Sequence, residues 1–100
     1  MRVVFAPEAL DDLVEIAAYI AEDSPRAARQ VAAGLKAKAS DLSSMAERFP
    51  VIGVRDGLVM RRRPHKSYAI FYYLKADKHV VIARILHSAR DHERLLFPEA

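Results

Sequence analysis

The sequence has no cysteine, few glycines and no long apolar run. Without cysteine, neither a disulfide nor a thiolate metal site can stabilise the fold, which agrees with a reducing cytosol. The three glycines form no phosphate-binding loop. No apolar run approaches a membrane span and no signal-peptide core follows the N-terminus, so we expect a cytoplasmic protein without membrane contact.

The residues that are present suffice for one folded domain with an uneven charge. Apolar residues make up 52% of the 100 residues, without a linker or an internal repeat, so we predict a single domain over residues 1–100. Residues 1–24 hold six acidic side chains and one basic one, whereas residues 49–100 hold ten basic and five acidic ones. A basic second half favours an acidic partner, either nucleic acid or an acidic protein surface.

Helical periodicity dominates the first half of the chain. After a short apolar strand at residues 2–5, apolar side chains recur every three or four residues over a predicted helix at residues 7–22. Ser24 is a predicted N-cap for a second helix that begins with proline and covers residues 25–47. The short gap between the two helices predicts an antiparallel hairpin.

The second half changes to the two-residue period of β-strands. We predict strands at residues 58–63, 67–74 and 80–86, joined by a hairpin loop at residues 75–78. A short helix over residues 91–95, capped by its aspartate, follows the last strand. Short connections make the three strands antiparallel neighbours, so the order predicts an α+β fold with helices on a sheet.

Two of these strands are apolar on both faces. Ile70 and Tyr72 point to one side, and Phe71 and Tyr73 point to the other. By strict alternation the last strand has Val80, Ile82 and Leu86 on one face and Val81, Ala83 and Ile85 on the other. One helical hairpin covers a single face, so we expect a partner chain or a homodimer contact on the second. The alternative is that the loop at 49–57 and the tail at 95–97 fold over it.

The densest basic cluster is Arg61, Arg62 and Arg63, followed by His65 and Lys66. Adjacent strand residues alternate sides, so at least one of these arginines leaves from an apolar side. It then either reaches solvent at the sheet margin, as charges on edge strands do, or meets an acidic ligand.

Arg84 raises the same question inside the apolar last strand, which ends at His87. A histidine beside arginines suits acid–base work on a phosphodiester, and His92 is a second candidate. The alternative is a neutral histidine whose ring nitrogens bond the backbone. His87, His92 and Glu93 fit no metal cage, and we predict neither a metal nor a cofactor.

Several motifs occur in a recognisable order along nearly the whole chain. They are Phe5-x-Pro7-x-Ala9-x-x-Asp12-Leu13-x-x-Ile16-x-x-Tyr19-Ile20, then Ala28, Phe49-Pro50, Gly53, Arg63 to Tyr73, and Ile82-Ala-Arg84-Ile-Leu86-His87-x-x-Arg90-Asp91. Together they resemble the ParE/RelE superfamily, and the last motif resembles its ParE branch.

The resemblance implies the toxin half of a type II toxin–antitoxin pair. The implied fold is a strand, an antiparallel helical hairpin and a three-stranded antiparallel sheet, with a short C-terminal helix or tail. The implied partner is a ParD-like antitoxin that is encoded beside the toxin. The resemblance implies that the complex binds operator DNA only through this antitoxin. ParE-type toxins inhibit DNA gyrase, which makes gyrase the expected target. RelE-type relatives instead cut messenger RNA on the ribosome.

These expectations assign roles to individual residues. The residues expected to bind the target are Arg61, Arg62, Arg63, His65, Lys66, Arg84, His87 and Arg90. The residues expected to bind the antitoxin are Leu13, Ala17, Phe71, Tyr73 and Ile85. Gyrase inhibition needs no catalytic residue, whereas a ribonuclease would use His87, His92, Arg62 and Arg84.

Overall fold

A helical hairpin lies on one face of a β-sheet, as the sequence predicts, in a computed structural model that describes residues 1–76, 78–90 and 92–97. The elements are β1 (Arg2–Phe5), α1 (Pro7–Ala21), α2 (Pro25–Ser40), α3 (Leu42–Met45), β2 (Val51–Arg55), β3 (Leu58–His65), β4 (Tyr68–Leu74), β5 (His79–His87) and α4 (His92–Leu96). Asp77 of the predicted hairpin loop and Asp91, the predicted helix cap, lie outside the described residues.

The sheet has five strands in the order β1-β5-β4-β3-β2. β1 lies parallel to β5, while the other neighbours are antiparallel. β2 occupies the stretch predicted as a loop, so four strands follow the helices instead of three. Asp56 and Gly57 both have positive φ, at 52° and 77°, and this two-residue turn pairs Val54 with Val59.

β3 continues past its predicted end at Arg63, through Pro64, to His65. The pairing with β2 reaches only Arg61, so at Pro64 β3 has no neighbouring strand on the β2 side. A proline lacks the backbone N–H that a central strand donates, and an unpaired margin tolerates that loss.

Both main helices begin as predicted, but the second ends early. The Ser24 hydroxyl accepts a hydrogen bond from the N–H of Ala27 at 3.1 Å, which confirms the N-cap. α2 ends at Ser40, well before the predicted Glu47, and α3 follows as a separate turn. This turn places Leu42 in the core, where it is fully buried.

The main core lies between the hairpin and the sheet. Leu35 and Leu42 from the helices pack there with Ile70 and Tyr72 from β4, and all four are fully buried. Tyr72 donates a hydrogen bond from its hydroxyl to the carbonyl of Ala46. This bond ties the segment after α3 to the centre of the sheet.

The second face of the sheet is covered in part by the chain itself. Leu96 of α4 packs on Phe71, and both are fully buried. Phe97 lies against β2, so close that a Cβ at Gly53 would stand 2.8 Å from the Phe97 ring. Over these residues the C-terminal tail therefore covers the face on which we expected a partner chain. This agrees with the alternative prediction of a folded tail.

A β-bulge in β5 reverses part of the predicted face assignment. Phe71 pairs with Arg84 and Tyr72 pairs with Ile82, so the register shifts between these two positions. After the bulge Ile85 joins the helix-facing core and Leu86 joins the cluster under α4. Strict alternation had placed these two residues on the opposite faces.

We expect Tyr72→Phe to lower the free energy of unfolding by about 1–2 kcal/mol, because the buried carbonyl of Ala46 loses its donor. Tyr73→Phe is the matched control, since within the described part of the chain the Tyr73 hydroxyl has no hydrogen-bond partner. Urea unfolding followed by circular dichroism measures both variants. Equal stability of the two would show that the hydroxyl of Tyr72 contributes nothing.

Candidate functional site

The carboxylate of Asp12 on α1 binds the bulged segment of β5 through three hydrogen bonds. Its Oδ2 accepts from Nε of Arg84 at 2.8 Å, and its Oδ1 accepts from Nη2 of Arg84 at 2.9 Å. Oδ2 also accepts from the backbone N–H of Ile85 at 2.9 Å. The Asp12 side chain is only 5% exposed, so the pair is largely removed from water.

This pairing settles where Arg84 points. The acidic ligand expected for Arg84 is Asp12 of the same chain. The hydrogen bond to Asp12 raises the pKa of Arg84. The sequence carried a signal for it: Asp12 stands three residues after Ala9 and four before Ile16, on the inward face of α1. A carboxylate on the inward face of an amphipathic helix predicts a buried cationic partner.

Arg61 and Arg63 hold the segment that follows α2. Arg61 donates from Nη1 to the carbonyls of Glu47 and Phe49, at 3.2 and 2.7 Å. Arg63 donates to the carbonyl of Lys38 at 3.1 Å, and its guanidinium carbon lies 4.8 Å from the centre of the Phe49 ring. Both guanidinium groups therefore stabilise the route of the chain from α2 to β2.

Arg62 lies on the opposite face of β3, directly across from Phe71 in register. It is half-buried and, among the described residues, has no hydrogen bond or ion pair. The ring of His92 packs edge-on against Phe71, with centroids 4.7 Å apart. Arg62 is thus the strand neighbour of the residue against which His92 packs, whereas Arg61 and Arg63 turn to the opposite face.

The two candidate histidines form hydrogen bonds within the turn that joins β5 to α4. The Nδ1 atom of His87 accepts a hydrogen bond from the N–H of Ala89 at 3.1 Å, so neutral His87 has its proton on Nε2. Nε2 of His92 lies 3.1 Å from the carbonyl of His87. These contacts match the structural alternative for both histidines.

An open groove of about 490 Å³ lies where α1 passes the end of β4 and β5. Residues from α1 form one wall, and residues from the ends of the two strands form the other. The principal lining residues are Glu15, Ile16, Tyr19, Tyr68, His87 and Arg90. Tyr19 is 75% exposed, and the rings of Tyr68 and His87 meet edge-on with centroids 5.5 Å apart.

His65 stands beside this groove, opposite Tyr68 in register. Its Nε2 lies 3.4 Å from the position of a Cβ on Gly34 of α2, so the ring packs against that helix. Burial lowers the pKa of His65, and the positive charges of Lys66, Lys38 and Arg63 lower it further.

The residues expected to contact an antitoxin divide into two groups. Leu13, Phe71 and Ile85 are almost fully buried within this chain, whereas Ala17 and Tyr73 are half-buried. The large exposed apolar side chains include Leu10, Val14 and Tyr19 on α1 and Val51, Ile52, Val54 and Val59 on the β2–β3 hairpin.

Neither a membrane span nor a metal site is found in the described part of the chain. None of its helices combines the length and the apolar character that crossing a bilayer requires. Across residues 1–76, 78–90 and 92–97, histidine and carboxylate side chains nowhere form a group of three suited to a metal ion.

We expect Asp12→Ala to lower the free energy of unfolding by about 3 kcal/mol, because Arg84 and the N–H of Ile85 both lose their acceptor. Asp11→Ala removes the neighbouring, exposed carboxylate and should change stability by less than about 0.5 kcal/mol. Chemical denaturation of the two variants side by side makes the measurement. A similar loss in both would mean that net charge, and not the hydrogen bonds, is responsible.

The lowered pKa of His65 predicts a pH-dependent component of stability. The unfolded chain takes up a proton near pH 6.5 and the folded chain only at lower pH, so this component is present above 6.5 and is lost as the pH falls towards the folded pKa. His65→Gln should show a shallower loss of stability over that interval. Unfolding curves at a series of pH values test this, and parallel curves for the two proteins would contradict it.

Comparison with known proteins places this geometry in a family. A family model described as the ParE toxin of the type II toxin–antitoxin system parDE matches residues 3–92. A protein named Toxin RelE2 from Caulobacter vibrioides is 38% identical over 91 residues, which is 89% of this chain and 97% of the relative.

Solved structures agree with the fold. A chain from the chromosomal ParDE system of P. aeruginosa has a TM-score of 0.70 at 18% identity, covering 87% of this chain and 95% of that one. A chain from the toxin–antitoxin complex RelBE2 of Mycobacterium tuberculosis has a TM-score of 0.59 at 27% identity, covering 86% and 95%. The present chain belongs to the ParE toxin family of type II toxin–antitoxin systems.

Proposed function

We propose that this toxin stops growth by inhibiting DNA gyrase in the cytoplasm, without being an enzyme. The match to the ParE family model supports gyrase as the target. The observation that carries the proposal is that the four residues expected of a ribonuclease do not share one site, because Arg84 and Arg62 lie on opposite faces of the sheet. Arg84 is bound by Asp12, Arg61 and Arg63 bind backbone carbonyls, and Arg62 lies on another face.

Cutting a phosphodiester needs an acid or base within reach of the reacting oxygen and free cations around the phosphate. His87 uses Nδ1 to accept a backbone N–H, and His92 has its Nε2 at a backbone carbonyl. Arg84 is the cation of β5 that lies nearest to His87 in sequence. Its guanidinium group is bound by the carboxylate of Asp12. This arrangement supports an inhibitor that acts by binding.

The proposal includes a cognate antitoxin, ParD-like and encoded beside the toxin, which neutralises it and supplies the contact with operator DNA. The solved relatives come from a ParDE system and a RelBE2 complex, which supports such a partner. Ala17 and Tyr73 remain accessible to it. We add the exposed Leu10 and Val14 of α1, at 48% and 67% exposure, as expected contacts, because water-exposed apolar side chains gain most from being covered.

A second candidate function is a ribosome-dependent endoribonuclease of the RelE type. The 38% identity to a protein named Toxin RelE2 favours it. Arg62, which has no hydrogen bond or ion pair among the described residues, and His92, which packs against Phe71, are the residues best placed for such a role. His87 and Arg84 would be less suited, since both are engaged elsewhere.

We expect the purified toxin to inhibit supercoiling by purified gyrase and to increase cleaved DNA in the same reaction. The His92→Ala variant should inhibit equally well, because an inhibitor that acts by binding needs no acid or base at this position. Growth arrest after induced expression should leave messenger RNA intact.

The endoribonuclease hypothesis predicts the opposite pattern. Supercoiling would continue at excess toxin, messages would be cut on translating ribosomes, and a folded His92→Ala or Arg62→Ala variant would lose toxicity. Gyrase unaffected by wild-type toxin contradicts our proposal whatever the histidine variants do.

A further inference from the structure

The groove beside α1 plays no part in the packing described above. It lies between the stretch of α1 from Asp12 to Tyr19 and the edge of the sheet where β4 begins and β5 ends. Ile16 and Tyr19 line the helix side, Tyr68 and His87 line the strand side, and Arg90 lines it as well.

The groove offers aromatic surface to a planar ligand. Tyr19 is 75% exposed, and its hydroxyl has no partner among the residues that the structure describes. Tyr68 is half-buried and presents the part of its ring that His87 does not cover. Two tyrosines on facing walls of an open groove suit a flat ring system that stacks on one or both.

The same groove offers donors to an anion. Because Nδ1 of His87 accepts the N–H of Ala89, its Nε2–H remains free to donate. Arg90 is exposed and unpaired within the described part of the chain. The charge of Asp12 is balanced by Arg84, which leaves Glu15 as the unbalanced carboxylate of the wall and as an acceptor for amino groups.

The surroundings of the groove are basic on the side of the sheet. His65, which faces Tyr68 in register, is close enough to Lys66, Lys38 and Arg63 for their charges to act on it. A negatively charged ligand that enters over Tyr68 therefore meets an attractive field.

A planar ring with N–H donors, joined to an anionic group, is the chemistry of a nucleotide. We propose that this groove binds a nucleotide unit of single-stranded DNA, with its base against Tyr19 and Tyr68 and its phosphate at Arg90 and His87. The volume of about 490 Å³ suits one such unit. The choice of DNA over RNA rests on the proposed inhibition of gyrase, where a cleaved DNA strand is present.

The test uses the whole toxin and fluorescein-labelled oligothymidylate of about 12 nucleotides, with fluorescence anisotropy as the readout. We expect saturable binding that weakens about tenfold in Tyr19→Ala, because a base loses its stacking partner. Arg90→Gln should weaken binding and reduce the slope of log affinity against log salt by about one, since one phosphate contact is lost.

Two control variants remove similar groups outside the groove. Val54→Ala shortens an exposed apolar side chain on β2, and Arg48→Gln removes an exposed cation after α3. Both should bind the oligonucleotide as the wild type does. Thermal melting of each variant confirms that it is folded.

The outcomes separate this proposal from the proposed function. No saturable binding, equal weakening by groove and control variants, or tighter binding of oligouridylate would each overturn the DNA groove. A toxin that still inhibits gyrase in any of those cases leaves gyrase inhibition standing. If the groove binds DNA as expected while gyrase is unaffected, the groove stands and the gyrase proposal falls.

Discussion

The carboxylate of Asp12 joins α1 to the one irregular point of β5, and much of the molecule depends on that junction. The bulge at Ala83 and Arg84 turns the guanidinium of Arg84 towards the helices and leaves the N–H of Ile85 in need of an acceptor. Asp12 meets both requirements at once. Because the contact is bidentate and includes a backbone group, it fixes the position of the helix along the strand as well as its distance.

The basic character of the second half has two separate origins in the structure. Arg61, Arg63 and Arg84 are part of the framework, since they hold carbonyls or a carboxylate of the same chain. Arg62 and Arg90 have no such partner in the described residues and remain available at the surface. A count of basic residues therefore overstates the number of guanidinium groups that are free to bind a partner, and the distinction between these groups is what shapes the proposed function.

Local patterns in the sequence predicted most of the elements and the α+β arrangement. The Ser24 cap, the helical hairpin and the aromatic strand β4 follow from short-range preferences that packing did not override. β2 was missed because Gly53 interrupts its apolar residues and a register shift between Val51 and Gly53 breaks the alternation of a regular strand. The faces of Ile85 and Leu86 were exchanged because strict alternation contains no information about a bulge.

Prediction of the candidate site was limited by a different cause. The sequence identified Arg84, His87 and Arg90 but could not give their partners, because Asp12 lies 72 residues away from Arg84. Tyr19 entered only as one letter of a motif, since a tyrosine on a helix gives no sign of the groove beneath it. Contacts between distant segments are decided by packing, which a local pattern does not describe.

The parallel pairing of β1 with β5 has a consequence for how the toxin is made. The first strand of the chain has no neighbour in the sheet until the last strand exists, and Asp12 has no cation to bind until Arg84 has been added. At a synthesis rate of about 5–20 residues per second, the stretch from Ala6 to Lys78 takes about four to fifteen seconds. During that interval the apolar side chains of β1 and the inward face of α1 lack the surface that later covers them. The nascent chain therefore completes its sheet only after β5 has been made, and a protein bound to β1 or α1 before then would hold the toxin in an unfinished state.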